Sequence, residues 1–372
     1  MKLLIKCEAQ KMLRQKYFLI GSLILLAFTL FLFFSYGMNS AATYPVDAEQ
    51  GRIEGREAAL YNKAVYAQYA GILTSEKIDK VISDFQTARN EYDETHSDYY
   101  DWPVIFDDIS SLNGMVYEAG YEDINELLKN RSDPFFFDFA YTWISAFNIF
   151  HNAGIVFALF LLIVLSPLFA NEYSSGADGI ILTTKYGKSK LIRAKFAVAI
   201  LFATVAVIVF SAFVLIICGL YFGGFTGWQV DIQTLVQSAI YIDLPIKMNC
   251  LQFFGFNVLM YCATGIGIAA LACCCSAFSK NTFSAFIVSG VLYFVPMLLQ
   301  QIGFGGPVWS KYLFIFPACA MKPQFVIDTL SKQNMLLPTT FEIPILIVTF
   351  AVISSLVLLQ IARQQFYNHE VK

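Results

Sequence analysis

Residues 196–222 read FAVAILFATVAVIVFSAFVLIICGLYF, 27 consecutive positions without Asp, Glu, Lys or Arg. A helix needs about 20 mostly apolar residues to cross the hydrocarbon core of a bilayer, and this run exceeds that length. Working outward from it, five more windows meet the same requirement: Tyr17–Tyr36, Asn148–Ala170, Gln252–Ala277, Phe283–Gln301 and Ile343–Ala362. None carries a charged residue in its interior. The whole chain of 372 residues is 57% hydrophobic and only 14% charged, against roughly 25% charged residues in an average soluble domain. One aqueous core cannot hide that much apolar surface, so lipid is the expected solvent for much of it. The sequence predicts an all-α integral membrane protein with six transmembrane helices.

Charge segregation gives an orientation. Lys2, Lys6, Lys11, Arg14 and Lys16 precede the first span. Lys185, Lys188, Lys190, Arg193 and Lys195 lie between spans two and three, Lys280 between four and five, and Arg363 after six. With six spans all four segments fall on one side, and cationic loops stay in the cytoplasm. Both termini are therefore expected to be cytoplasmic, as in a multi-pass protein of a bacterial plasma membrane. Residues 1–16, 171–195, 278–282 and 363–372 are the expected inner segments. The first span is too long for the apolar core of a signal peptide, about 7–15 residues, and no clean cleavage pattern follows it.

The segment 37–147 then faces outward. It carries 20 acidic and 8 basic residues, a net of −12. Its periodicity is helical. Glu54–Tyr69 is rich in Ala, Glu, Lys and Tyr. Thr74 is a candidate N-cap for a helix with Ile78, Val81, Ile82 and Phe85 on one face. Pro103 interrupts the pattern, and shorter helices fit Val104–Glu118 and Asp123–Lys129. A helical extracellular domain inserted between spans one and two is expected. Two shorter outer loops follow. Residues 223–251 have an amphipathic stretch through Leu235, Val236 and Ile240. Residues 302–342 are broken by Gly and Pro and suit a re-entrant or interfacial segment around Tyr312–Met321.

Several chemistries find no support. None of the eight cysteines lies in 37–147, so no disulfide framework staples that segment. Cys273, Cys274 and Cys275 are adjacent, so their side chains point about 100° apart on a helix and cannot converge on a metal. Three scattered histidines and no HExxH leave no metal argument. His151, with Asn148 and Asn152, reads as an interfacial polar cluster. Gly187–Lys188–Ser189 resembles the end of a phosphate loop, but the required earlier glycine is Leu182. No cofactor, catalytic residue or nucleic-acid partner is expected.

The segment after span two runs Asn171-Glu172-Tyr173-Ser174-Ser175-Gly176-Ala177-Asp178-Gly179-Ile180-Ile181-Leu182-Thr183-Thr184, then Gly187, Ser189, Lys190 and Lys195. This resembles the first cytoplasmic loop of ABC-2 type transporter permeases: a Glu leaving the second span, a Gly, a short apolar helix ending near Ser or Thr, a turn, and a basic lead-in to the third span. The turn in that family often has Pro followed by Ser-Arg, where this chain has Gly187, Ser189 and Lys190. Ahead of the first span, Glu8, Lys11, Arg14 and Lys16 are similar to the interfacial entry helix of the same family. The resemblance covers the membrane part and not the enlarged outer segment. It implies a membrane subunit of an ATP-binding-cassette transporter, an exporter of a peptide, lipid or other amphipathic compound. Its partners would be a separate ATPase subunit, a second permease subunit in a homodimer or heterodimer, and membrane lipid. It places ATPase coupling on Glu172, Ser175, Gly176, Ile181, Leu182, Thr183, Thr184 and Gly187. Glu172 is expected to pair with a cation of the partner or to cap the short helix, and Gly187 to supply backbone freedom at the turn. The alternative is a membrane-anchored sensor or receptor that uses the outer domain.

Overall fold

A computed structural model of the chain describes residues 1–38, 53–93, 103–130, 134–184, 187–235, 244–331 and 336–368. The expected amphipathic stretch at Val236 and Ile240 lies outside them. Helix α1 (Lys2–Leu13) precedes α2 (Lys16–Phe33), which ends in a wider turn to Met38. Then come α3 (Gly55–Ala67), α4 (Ser75–Asp93), α5 (Val104–Glu118) and α6 (Ile124–Asn130). Helices α7 (Tyr141–Leu165), α8 (Pro167–Ser174), α9 (Ala177–Thr183) and α10 (Ile192–Tyr221) follow. The remainder is α11 (Cys250–Phe278), α12 (Thr282–Gln301), three short helices α13 (Gly306–Trp309), α14 (Pro317–Ala320) and α15 (Pro323–Asp328), and α16 (Glu342–Tyr367).

Six helical segments among the described residues are long and apolar enough to cross a membrane: α2, the α7–α8 pair, α10, α11, α12 and α16. Their order matches the six apolar windows. The second begins earlier than expected, at Tyr141 instead of Asn148, because its first turns carry polar handles that lower hydropathy. Those handles are satisfied: Thr142 Oγ1 donates to the carbonyl of Gly224 at 3.0 Å, and Trp143 Nε1 to that of Thr226 at 2.9 Å. Side-chain caps fix other starts. Asn249 and Gln252 exchange side-chain-to-backbone bonds at the start of α11, and Asn281 accepts from Ser284 N at 2.8 Å at the start of α12.

Two helices form the centre. The apolar stretch of α7–α8 is 78% buried and that of α11 is 67%, against 22–28% for the other four. Aromatic side chains bind the centre together, with Phe147 against Phe253 at 4.7 Å, Phe150 against Tyr261 at 5.1 Å and Phe157 against Phe210 at 5.1 Å. The first two pairs are edge-on and the third tilted, and such aromatic pairs add stabilisation beyond their buried area. The peripheral helices turn apolar residues outward, including Leu19 and Leu23 of α2, Val209 of α10, Val291 of α12 and Leu356 of α16. Continuous apolar exposure on this scale is stable only against lipid or another apolar helix.

At one end of the bundle, α3–α6 pack into a small helical unit. Thr74 Oγ1 accepts from Lys77 N at 3.3 Å, placing it at the N-cap of α4 as the sequence predicts. Ile78 and Val81 are buried, and Phe85 packs against Phe106, the rings tilted with centroids 4.9 Å apart. Asn62 Oδ1 accepts from Val104 N, so a side chain of α3 caps α5. A two-residue antiparallel pair, β1 (Gly71–Ile72) with β2 (Phe136–Phe137), closes the unit. Asp231 Oδ2 accepts from Phe136 N at 2.8 Å and ties it to the loop after α10.

The segment between α12 and α16, expected to hold a re-entrant or interfacial stretch around Tyr312–Met321, is built from short helices. Prolines at 307, 317 and 323 sit in the first turns of three short helices, each ending before the next. It folds inward among the long helices. A Cβ on Gly154 of α7 would meet the carbonyl oxygen of Met321 at 2.4 Å, and one on Gly267 of α11 would meet Pro317 at 3.2 Å. Gly154 lies 13 residues into α7, about 20 Å along its axis. The segment therefore re-enters the bundle to mid-helix depth. Lys311 and Glu342 anchor its two shoulders through a buried pair at 3.4 Å.

Candidate functional site

The predicted coupling residues lie at the bundle end opposite the α3–α6 unit, where α1, α8, α9 and the last turn of α16 meet. Pro167 breaks the second span there. It has no N–H to continue the helical ladder, so the chain bends between α7 and α8. Ser276 of α11 receives the break. Its Oγ donates to the Ser166 carbonyl at 2.6 Å and accepts from Phe169 N and Ala170 N, both at 2.9 Å. One hydroxyl thus uses its donor and both lone pairs. Tyr173 and Phe169 of α8 pack on Phe366 of α16, with centroids 5.9 and 5.3 Å apart.

A buried ion cluster lies under this bend. Lys195, fully buried at the start of α10, places Nζ 2.7 Å from Glu172 Oε1, 2.7 Å from Glu8 Oε2 and 2.8 Å from the Leu168 carbonyl oxygen. Lys11 Nζ reaches Glu172 Oε1 at 3.1 Å. Two anions and two cations from α1, α8 and α10 therefore balance. Glu172 is turned inward, which corrects the expectation that it meets a partner's cation or caps the short helix. Its burial follows from its place one helical turn past Leu168, beneath the lysine that leads into α10. In the sequence Lys195 stands only as part of a basic lead-in, with nothing to join it to Glu8. The available signal was a lysine directly preceding 27 uncharged residues, with one glutamate at the exit of the span before it.

The rest of the loop projects from this base. Gly176 adopts a left-handed φ of 67° between α8 and α9, so the chain reverses after Ser175. Ser175 Oγ donates to the Glu172 carbonyl. On α9, Ile181 is half-buried against the core, and Ile180, 73% exposed, is the apolar side chain that faces outward. Thr183 and Thr184 are exposed beside it, each hydroxyl returning to a carbonyl three residues back. Leu182 lies within α9; its side chain is outside the described set. Gly187 differs from expectation in its reason. Its φ is not positive; a Cβ there would stand 1.8 Å from the Ile181 carbonyl oxygen, so the close approach of two chain segments demands glycine. An apolar cleft of about 540 Å³ lies on the other side of α1, between α2 and α10, lined by Met12, Leu25, Phe202 and Phe210 among others.

At the opposite end, Asp108 of α5 accepts from the hydroxyls of Tyr66 and Tyr141. Burial pushes its carboxyl up to about 6, the two phenol bonds opposing that rise in part. This triad fastens the α3–α6 unit to the first turn of α7.

Six apolar helices around this scaffold give the architecture of a multi-pass membrane protein. No protein-family model matches the chain, and no curated protein matches it.

Proposed function

We propose that the chain is the membrane subunit of an ATP-binding-cassette exporter for an amphipathic compound, worked by a separate ATPase subunit. The observation that carries this reading is α9. A seven-residue helix presents Ile180, Thr183 and Thr184 outward from an ion-paired base. A soluble partner can grip an exposed apolar side chain on a short rigid helix. The base passes the push onward. Lys195 joins α8 to α10 and α1, and Ser276 joins the α7–α8 bend to α11. Displacement of α9 is thereby delivered to three spans at once.

The orientation follows from charge. The α1, α9 and α16 ends carry the lysines and arginines that the positive-inside rule assigns to the cytoplasm, and the acidic segment lies across the membrane. A cytoplasmic ATPase then meets α9 directly. Two such chains, alike or similar, would complete the pathway.

The test is copurification. The tagged chain, solubilised gently from its native membrane, should bring down a stoichiometric subunit that hydrolyses ATP, whereas the chain alone should not. Ile180→Asp should lower the recovered ATPase about tenfold, a loss of roughly 1.4 kcal/mol, with chain yield and thermal stability unchanged. Absence of an ATP-hydrolysing partner, or recovery indifferent to Ile180→Asp, would reject the reading.

A further inference from the structure

The uncharged interior of the six spans does not make the bundle interior uncharged, because the re-entrant segment brings a lysine with it. Lys322 follows directly on Met321, whose carbonyl packs on Gly154. The next turn lies beside the first half of α7. Gln324 Nε2 reaches Asn148 Oδ1 at 3.4 Å, and Phe325 stands edge-on to His151 at 4.6 Å. Lys322 Nζ lies 5.4 Å from the centre of the Phe325 ring. His151 is ten residues into α7, about 15 Å below its first residue. This places a cation and several amides in the first half of the 34-residue spanning segment, beside the polar cluster of Asn148, His151 and Asn152.

Among the described residues nothing neutralises that cation. Lys322 forms no ion pair among the described residues, and His151 Nδ1 is buried without a hydrogen-bond partner. Lys322, His151, Asn148 and Asn152 are nonetheless only half-buried. An ionised side chain facing hydrocarbon is costly, and such residues almost always face a water-filled cavity or a partner. Further down the same face of α7, Ile155, Leu159 and Ile163 are half-buried and apolar. Positions 148, 152, 155, 159 and 163 recur at helical spacing. One continuous stripe is polar and cationic at its upper end and apolar below.

We propose that this stripe binds an amphipathic anion, a phosphate or carboxylate on Lys322 and His151 with its apolar tail along Ile155, Leu159 and Ile163. The lysine supplies the charge, Nδ1–H of His151 donates to one anion oxygen, and the Asn152 amide stands beside them. The assignment of this anion to cargo rests on the exporter reading; the binding site itself does not.

The experiment uses the full chain without nucleotide or ATPase, in nanodiscs of phosphatidylcholine. Binding of decyl phosphate, decyltrimethylammonium and inorganic phosphate is measured against empty discs. Decyl phosphate should bind saturably and about tenfold or more tighter than the cationic amphiphile. Lys322→Gln should lose about tenfold, and Lys322→Arg should keep wild-type binding within about threefold. Inorganic phosphate that binds as tightly as decyl phosphate would remove the tail from the proposal. Equal binding of the two amphiphiles, or an unchanged affinity in Lys322→Gln, would overturn it. A second measurement guards against misfolding. In a Cys7→Ser, Cys262→Ser background, which removes the thiols that are not buried, Asn152→Cys should react with a water-soluble sulfonate thiol reagent and be protected by decyl phosphate. Reaction only with a lipid-phase reagent would show that the stripe faces lipid, and would also overturn the proposal. Because no ATPase is present, failure to find one would end the exporter reading and leave these results standing.

Discussion

Replacing Lys195 by Met should destabilise the chain more than any surface change, and the structure gives the size. Met keeps the length and the apolar stem. It removes one buried charge and three bonds, to Glu8, Glu172 and the Leu168 carbonyl. Glu172, whose side chain is 2% exposed, keeps only the half-exposed Lys11. Glu8 keeps no cation among its described neighbours, and the cluster goes from neutral to one net negative charge. Removing one partner of a buried pair costs about 3–5 kcal/mol. At roughly 2–4 °C per kcal/mol for a large chain, the melting temperature should fall on the order of 10 °C. The chain carries its own reporter, since Cys218, Cys250, Cys273 and Cys275 are buried. A thiol-reactive dye in detergent will register their exposure on heating. The triple variant Glu8→Gln, Glu172→Gln, Lys195→Met should recover most of the loss, because no buried charge remains and Lys11, the one cation left, is half-exposed. A single variant melting within about 2 °C of wild type, or a triple variant no better than the single, would refute the cluster as a structural bond between α1, α8 and α10.

Two other outcomes follow from particular atoms. Burial raises Asp108 to about 6 from its ordinary 3.8, so its protonated form is favoured by folding. Its stabilising contribution is full below about pH 4 and lost as pH rises through 6, at most about 3 kcal/mol; Asp108→Asn should flatten that dependence in thiol melts at pH 4.5 and 7.5. Gly187→Ala puts a methyl where the Ile181 carbonyl stands, which should shift α9, lower ATPase copurification and leave the melt within about 2 °C.

The six long helices were legible because lipid leaves a one-dimensional mark: uninterrupted apolar runs with cations at alternate ends. The small helical unit was legible for local reasons, since Thr74, Pro103 and the Ile78–Phe85 face act within a few residues of themselves. What the sequence concealed is non-local. Glu8 and Lys195 are 187 positions apart, and no pattern in either neighbourhood points to the other. Ile180 and Ile181 are indistinguishable as letters; only packing decides that Ile181 turns in and Ile180 out. Lys322 was hidden differently. It sits just past the stretch Tyr312–Met321 that reads as re-entrant or interfacial, and its neighbours on α7 appear only once Met321 is seen against Gly154.

The wiring of Lys195 also imposes an order of assembly during synthesis. Glu172 precedes it by 23 residues and Glu8 by 187, so both acids are made before the base that neutralises them. Glu8, on α1, waits without that base while the first two spans and the acidic segment between them are laid down. When α10 emerges, Lys195 can meet Glu172 at once across a short hairpin, and Glu8 then docks from α1. Phe366 joins Phe169 only with the last span. Closure of this end of the bundle is thus coupled to the chain's final helix, so a chain that stops before α16 lacks the aromatic contact that covers the bend at Pro167.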